Sequence, residues 1–394
     1  MRGFDPGSRT FVRAHGTTVF DASGRGFFDA TSSIWTILHG HARPEIIAAL
    51  AEQAATLDHS TLLGATHPAA EELADRLCGL AAMDYAFFSS DGASAVEVAA
   101  KMALRYWAVN GQPQRTRFVR LDASYHGDTA AAMSFSDIAV FKDHYASLTF
   151  ETFAYDASRE LLERDDIAAV IVEPLIQAAA GMRYVPHSAY TALESMVPLL
   201  IVDEIATGFG RTGTMFAHEQ LAVRPDLLCV GKGLSGGVVA LSATLASQRI
   251  YDAFLADYHE MRQLFHGHSF AGNPIACAAA LASLDIFATD ATLAAAQRLS
   301  LAISRNAELL RTHRGVREIR VVGTMCGIEI RSQLIDASNA QSAGWRIADA
   351  LYERGHFTRP IGDVIQLVPP LVTRDDEIDR FFTDVLAVLE DVCI

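Results

Sequence analysis

Val197-Pro198-Leu199-Leu200-Ile201-Val202-Asp203-Glu204-Ile205-Ala206-Thr207-Gly208-Phe209-Gly210-Arg211-Thr212-Gly213, and then Pro225-Asp226-Leu227-Leu228-Cys229-Val230-Gly231-Lys232-Gly233, are the two stretches that decide how this chain folds. Each opens as a short apolar run of buried-strand length, ends on a charged residue, and passes into glycine-containing text. Lys232 follows Asp203 by 29 residues (232 − 203). Strand ends are also where a charge is simply solvated, so the pair alone decides nothing. Its chemical reading is a pyridoxal phosphate (PLP) site. A lysine amine holds that cofactor as a Schiff base, and a carboxylate at the pyridine nitrogen keeps the ring protonated and electron-accepting.

Similar apolar runs lie on either side. Tyr85–Phe88, Arg117–Leu121, Ala168–Val172 and Leu199–Val202 alternate with helical patterns between Ala70 and Asp285. That alternation predicts an α/β fold, a mainly parallel sheet covered by helices on both faces, with functional residues at the carboxyl ends of the strands. Phe11 to Asp29 reads as short strands and turns, and Pro44 to Ala55 as a helix. After Asp285 the character changes: helices flank Val316–Val322 and Cys326–Ile330, as in a smaller α+β domain. The expected division is an N-terminal segment, 1–44, packing with the small domain; a large domain, 45–285; and the small domain, 286–394.

A chain of 394 residues with 50% apolar content has ample material for such a core. The net charge of −15 argues against nucleic acid or an anionic membrane as partner. The longest apolar stretches, such as Ala276 to Ile286, are interrupted by Asp285 or flanked by polar residues, short of the roughly 20 residues of a membrane span. Met1-Arg2-Gly3-Phe4-Asp5-Pro6 has no signal-peptide core. The five cysteines are scattered, odd in number and form no CxxC, so neither a disulfide framework nor a zinc site is expected. His266-Gly267-His268 has no further ligand nearby, and no metal is expected there either. A cytoplasmic location is the default.

Four further motifs carry chemistry. Ser89-Ser90-Asp91-Gly92-Ala93-Ser94 follows a strand and opens an alanine-rich helix, so its free N–H groups suit a phosphate as well as an ordinary cap. Tyr125, in Ser124-Tyr125-His126-Gly127-Asp128, can stack on a flat ring or seal the core. Glu173-Pro174-Leu175-Ile176-Gln177-Ala178-Ala179-Ala180-Gly181 ends the strand at Ile171. Arg359-Pro360-Ile361-Gly362 offers an arginine fork fit to clamp a carboxylate, or a turn with a solvated charge.

Together these segments resemble the class III, fold-type I PLP-dependent aminotransferases, from about Phe20 to the C-terminus. The resemblance implies a large domain with a mainly parallel seven-stranded sheet and a smaller α+β domain. It implies that Lys232 carries the cofactor, Asp203 meets its pyridine nitrogen and Tyr125 covers its ring. Gly92, Ala93 and Ser94 fall where the family binds the phosphate, with Ala93 in place of the usual hydroxyl residue. His126, Glu173 and Ile205 fall beside the cofactor. Ser269 matches the residue that reaches the phosphate of the neighbouring subunit, which implies a homodimer with shared sites. Some branches carry a second glutamate where Ala179 stands, paired with an arginine. Without it, Arg211 is expected to be available to a substrate.

Within the family, Ser32-Ser33-Ile34-Trp35, His39-Gly40-His41 and Arg359-Pro360-Ile361-Gly362 are similar to the diaminopelargonate synthases of the biotin pathway. There Arg359 matches the arginine that binds the substrate carboxylate. That branch has paired tryptophans where Ile34-Trp35 stand, a proline where His268 stands and a tyrosine where Gln366 stands. The expectation drawn from this is an amine donor, an α-amino acid or S-adenosylmethionine, and a carbonyl acceptor changed from that of the biotin enzyme, as in natural-product assembly. The biotin reaction itself is the alternative. An aminomutase or racemase on the same fold, or a silent PLP-binding scaffold, are the rivals from other classes; the intact Asp203, Lys232 and Tyr125 argue against the last.

Overall fold

The computed structural model describes residues 9–155, 158–194, 198–335 and 342–393. Val197, at the head of the run before Asp203, and the first eight residues lie outside it. Seven strands form the central sheet, in the spatial order Tyr85–Ser89, Ser242–Ala246, Leu227–Val230, Leu200–Asp203, Ile167–Val172, Arg117–Arg120, Phe153–Ala154. Only Ser242–Ala246 runs against its neighbours.

The apolar runs are strands because both of their faces are covered. Val170, Val172, Leu200, Val202, Leu228 and Val230 point into one core, while Ala169, Ile171, Ile201, Leu227 and Cys229 point into the other. Successive side chains of a strand face opposite ways, so a run buried on both sides must be apolar throughout. Each such aliphatic side chain contributes about 1.5–3 kcal/mol by leaving water. The helix Gly92–Val109 covers one face, presenting Ala95, Val96, Val98, Ala99 and Ala103, all fully buried. Its small residues let it lie close to the strands.

The register sets the functional edge. Asp203 pairs with Cys229 in the parallel ladder, which leaves Asp203 and Lys232 at the same end of adjacent strands. Glu173 follows Ile167–Val172 directly, and Tyr125 lies in the loop after Arg117–Arg120.

A three-stranded antiparallel sheet, Val316–Val322, Met325–Ile330 and Val364–Leu367, packs with the helices Thr292–Leu310, Ala343–Glu353 and Asp375–Val392 around a second core. The N-terminal strands Phe11–His15, Thr18–Asp21 and Gly26–Asp29 form a four-stranded sheet with His356–Phe357. No single helix among the described residues is long and apolar enough to cross a membrane.

Gly26–Asp29 leads into an unusual turn. Ser32, Ser33, Ile34 and Trp35 have φ of +48, +49, +70 and +66°, a left-handed turn without glycine. Such a conformation costs roughly 1–2 kcal/mol per residue, so its surroundings must impose it. The buried carboxylate of Asp29 does much of this. It accepts from the Ser33 N–H at 3.0 Å and the Ser33 hydroxyl at 2.8 Å, and lies 2.9 Å from His41 Nε2. The Ser32 hydroxyl donates to the Val368 carbonyl at 2.7 Å.

His39, four residues past Trp35, makes a pH-dependent contribution. Its ring is buried against Phe287, and Nε2 lies 3.0 Å from the Ser283 hydroxyl. Burial, helped by Arg43, lowers its pKa from 6.5 to about 4. The unfolded chain therefore takes a proton that the folded chain refuses between those values, and stability falls as pH drops from about 6.5 to about 4. We expect this residue to account for roughly 2–3 kcal/mol of lost stability between pH 7 and 4.5. Unfolding curves at both pH values for the unsubstituted protein and His39→Gln check this: the variant should lose less on acidification. An equal loss in both would remove His39 from the account.

Candidate active site

At the carboxyl edge of the sheet the strand ends open into a cleft of about 520 Å³, lined by Trp35, Asp91, Gly92, Ala93, Tyr125, His126, Gly127, Asp128, Thr129, Glu173, Ala178, Ala179, Asp203, Ile205, Ala206, Thr207 and Lys232. Lys232 opens the single turn Lys232–Ser235, two residues beyond its strand, in the left-handed region with φ +42°. Its amine lies 5.2 Å from the centre of the Trp35 ring.

The Asp203 carboxylate is held from two sides. The Ile205 N–H donates to Oδ1 at 3.0 Å, and His126 Nδ1 lies 2.7 Å from Oδ2. Both side chains are buried, and His126 Nε2 has no hydrogen-bond partner among the described residues. Facing an acceptor-only carboxylate, Nδ1 carries the hydrogen of this bond. Glu173 accepts the Tyr125 N–H at 3.0 Å. The Tyr125 ring stands edge-on to Phe141, with centroids 5.3 Å apart.

Burial sets the protonation states. It pushes Glu173 well above the usual carboxylate range, and the neighbouring Asp203 pushes the same way. Burial pulls the Lys232 amine down, against the counter-pull of Asp203 and Glu173. A lowered lysine is more often neutral, the form that attacks a carbonyl. The Tyr125 phenol is raised, first by burial and then by Asp128, and stays protonated.

A family model described as aminotransferase class-III matches residues 3–389. The chain belongs to the class III aminotransferases. It is 36% identical to the adenosylmethionine-8-amino-7-oxononanoate aminotransferase of Aquifex aeolicus, over 94% of this chain and 89% of the relative. The enzyme of the same name from Synechococcus elongatus is 37% identical, over 97% and 95%. Among solved structures, the Methanocaldococcus jannaschii enzyme of that name superposes with a TM-score of 0.92 at 35% identity, covering 98% of this chain and 93% of the other. A PLP-bound amine transaminase from an uncultivated Pseudomonas species gives 0.90 at 30% identity, covering 99% and 97%. The protein is a PLP-dependent aminotransferase with the α/β, fold-type I architecture.

The cleft of this aminotransferase fits its cofactor. A Cβ on Gly92 would overlap Ile205 at 2.8 Å, and one on Gly127 would overlap Ala93 at 2.5 Å, so only glycine lets these two backbone segments pack this closely at the cleft wall and leave the space before Lys232 and Asp203 open. When bound, PLP supplies a carbonyl for the lysine amine and a protonated ring that accepts electrons. Lys232 would hold the cofactor and move the proton at the reacting carbon; Asp203, fixed by His126 and Ile205, would hold the proton on the ring nitrogen.

Gly92, Ala93, Tyr125, His126, Glu173, Asp203, Ile205, Lys232 and Trp35 thus come together around one space. Other residues singled out in the sequence do not. Ser94 gives its N–H and its hydroxyl to Asp91, at 3.0 and 2.9 Å. Ser269 is exposed, in the loop before the helix Pro274–Thr289, and neither it nor His268 lines the cleft. Ile34 is 38% exposed and also lies outside the lining. The guanidinium of Arg359 is exposed, with no partner among the described residues. Arg211 corrects the expectation most clearly. It is fully buried, donates to the carbonyls of Pro369 and Ile37, and braces the chain away from the cleft. With Ala179 in place of a carboxylate, its partners are backbone oxygens, and burial lowers its pKa to about 9. Asp91 and Thr207 line the cleft although the sequence reading passed them over. The cap pattern Asp91-Gly92-Ala93-Ser94 was the available signal for the first.

Proposed function

We propose that this aminotransferase takes the amino group of S-adenosylmethionine and passes it to 8-amino-7-oxononanoate, the diaminopelargonate step of the biotin pathway. The likeness to the adenosylmethionine-8-amino-7-oxononanoate aminotransferases of Aquifex aeolicus and Synechococcus elongatus, at 36 and 37% identity along nearly the whole chain, supports this reading. By the family resemblance we assign a substrate carboxylate to the exposed Arg359, which stands outside the cleft lining. A changed carbonyl acceptor, as in natural-product assembly, is the weaker reading. It rested on Ile34, His268 and Gln366, and none of the three lines the cleft of this chain.

We further propose a cytoplasmic homodimer with shared sites. Phe270 stands exposed against the His59 ring, Ser269 before it is also exposed, and Leu63 is exposed against Gly267. An apolar surface of this kind suits a subunit contact. The buried, unpaired cysteines suit a reducing compartment.

Complementation of a biotin-requiring strain lacking its own diaminopelargonate synthase tests the substrates. The intact gene should restore growth without biotin, and Lys232→Ala should not. Failure of the intact gene, with the purified enzyme still aminating other carbonyls, would overturn the assigned substrates and leave the aminotransferase chemistry standing.

A further inference from the structure

Gln366 was expected at the substrate wall, yet its side chain faces elsewhere. It is 1% exposed and absent from the cleft lining. Its amide is engaged at both ends. Oε1 accepts the indole N–H of Trp35 at 2.8 Å, and Nε2 donates to the backbone carbonyl of Arg359. Its own carbonyl accepts the Thr358 hydroxyl at 2.8 Å. The residue sits in the strand Val364–Leu367, opposite Gly327 of Met325–Ile330, so its backbone is fixed by the sheet.

The partner of this amide matters more than the amide. Trp35 does line the cleft, with its ring beside the Lys232 amine. It is carried on the left-handed turn Ser32–Trp35, a conformation the local sequence does not favour. Asp29 and Val368 hold the start of that turn, and the bond to Gln366 holds its end. Without an acceptor the indole N–H would be buried and unsatisfied, and the ring would gain by turning toward water. That turn would vacate the space next to Lys232.

We infer that Gln366 is a positioning residue: its amide clamps the Trp35 ring to the Arg359 segment, and this clamp sets how large an amine can reach Lys232. The inference rests on the reading of the cleft as the site of amino transfer. Gln366 touches no substrate in this account and acts only through Trp35. The opposite end of the clamp is the carbonyl of Arg359, so the residue proposed for the substrate carboxylate and the ring beside the lysine belong to one braced unit.

Two measurements on the PLP-loaded enzyme test this. The first follows Trp35 alone, in a background where Trp107 and Trp345 are phenylalanine, by acrylamide quenching of its fluorescence. Gln366→Met keeps the volume and removes the hydrogen bonds. It should raise the quenching constant at least threefold and shift the emission to the red. Gln366→Leu is the second variant should the first fail to fold, and circular dichroism establishes that either is folded. The second measurement compares the rate of the cofactor absorbance change with L-alanine and with 1-phenylethylamine as probes. The ratio of bulky to small should rise about tenfold in Gln366→Met. In Trp35→Phe, which has no N–H to clamp, the same substitution at Gln366 should add nothing to that ratio.

Unchanged quenching in a folded variant would overturn the clamp. Increased quenching with an unchanged ratio would overturn its role in size selection. So would an equal further rise in the Trp35→Phe background. If neither probe amine reacts with the unsubstituted enzyme, the size claim fails together with a broad amine site, and the fluorescence result alone decides the clamp.

Discussion

Lys232→Ala is expected to leave a folded protein that binds PLP without a covalent link and transfers amino groups at least about 10⁴-fold more slowly, since general acid–base catalysis alone contributes roughly 10²–10⁴-fold and the covalent role is lost with it. Among the described residues, Lys232 is the only lysine or arginine lining the cleft. Its amine is drawn down by burial and sits beside two carboxylates, so no neighbour can take over both attack on the carbonyl and proton transfer. The fold should survive, because the side chain faces open space, with the Trp35 ring 5.2 Å from its amine. Steady-state rates and the absorbance of the reconstituted protein check the effect. A loss of tenfold or less would show that another base does the work.

Asp203→Asn is expected to be the second most damaging change. The carboxylate receives hydrogen bonds from Ile205 and His126 and presents its charge into the cleft. Asparagine keeps the size and loses the charge that would hold a proton on the ring nitrogen of bound PLP. Removing one partner from a buried charged pair costs about 3–5 kcal/mol, which corresponds to a rate loss of about 10²–10⁴-fold. His126→Ala should show a smaller loss of the same kind, because it removes support from Asp203 without removing its charge. Rates for both variants, with cofactor content measured alongside, provide the comparison. Near-normal turnover of Asp203→Asn would contradict the assigned role.

The core of this site was legible because its residues sit at sheet ends. Runs such as Leu200–Val202 and Leu227–Val230 announce buried strands by composition, and the charged residues that end them must then share one edge. Ser242–Ala246 was not foreseen. Its alternation of small and apolar residues is weak, and the preceding segment, 231–241, holds only the single turn Lys232–Ser235 and no crossover helix, so the chain returns antiparallel. The small strand Val364–Leu367, which carries Gln366, was hidden in the same way.

Side-chain direction was the other illegible layer. Arg211 and Gln366 occupy sequence positions near the site, yet both turn to backbone carbonyls away from the cleft. Whether a polar residue meets substrate or braces a loop depends on partners that are distant in sequence: Pro369 for Arg211, Trp35 for Gln366. The left-handed turn at Ser32–Trp35 was equally invisible, because four non-glycine residues give no signal for positive φ, and Asp29 and Val368 impose it.

Borohydride reduction of the PLP-loaded protein, followed by peptide mass mapping, tests the central claim most directly. A single reduced adduct on Lys232 is the predicted result. An adduct on another lysine, or none on a protein that has bound PLP, would contradict it.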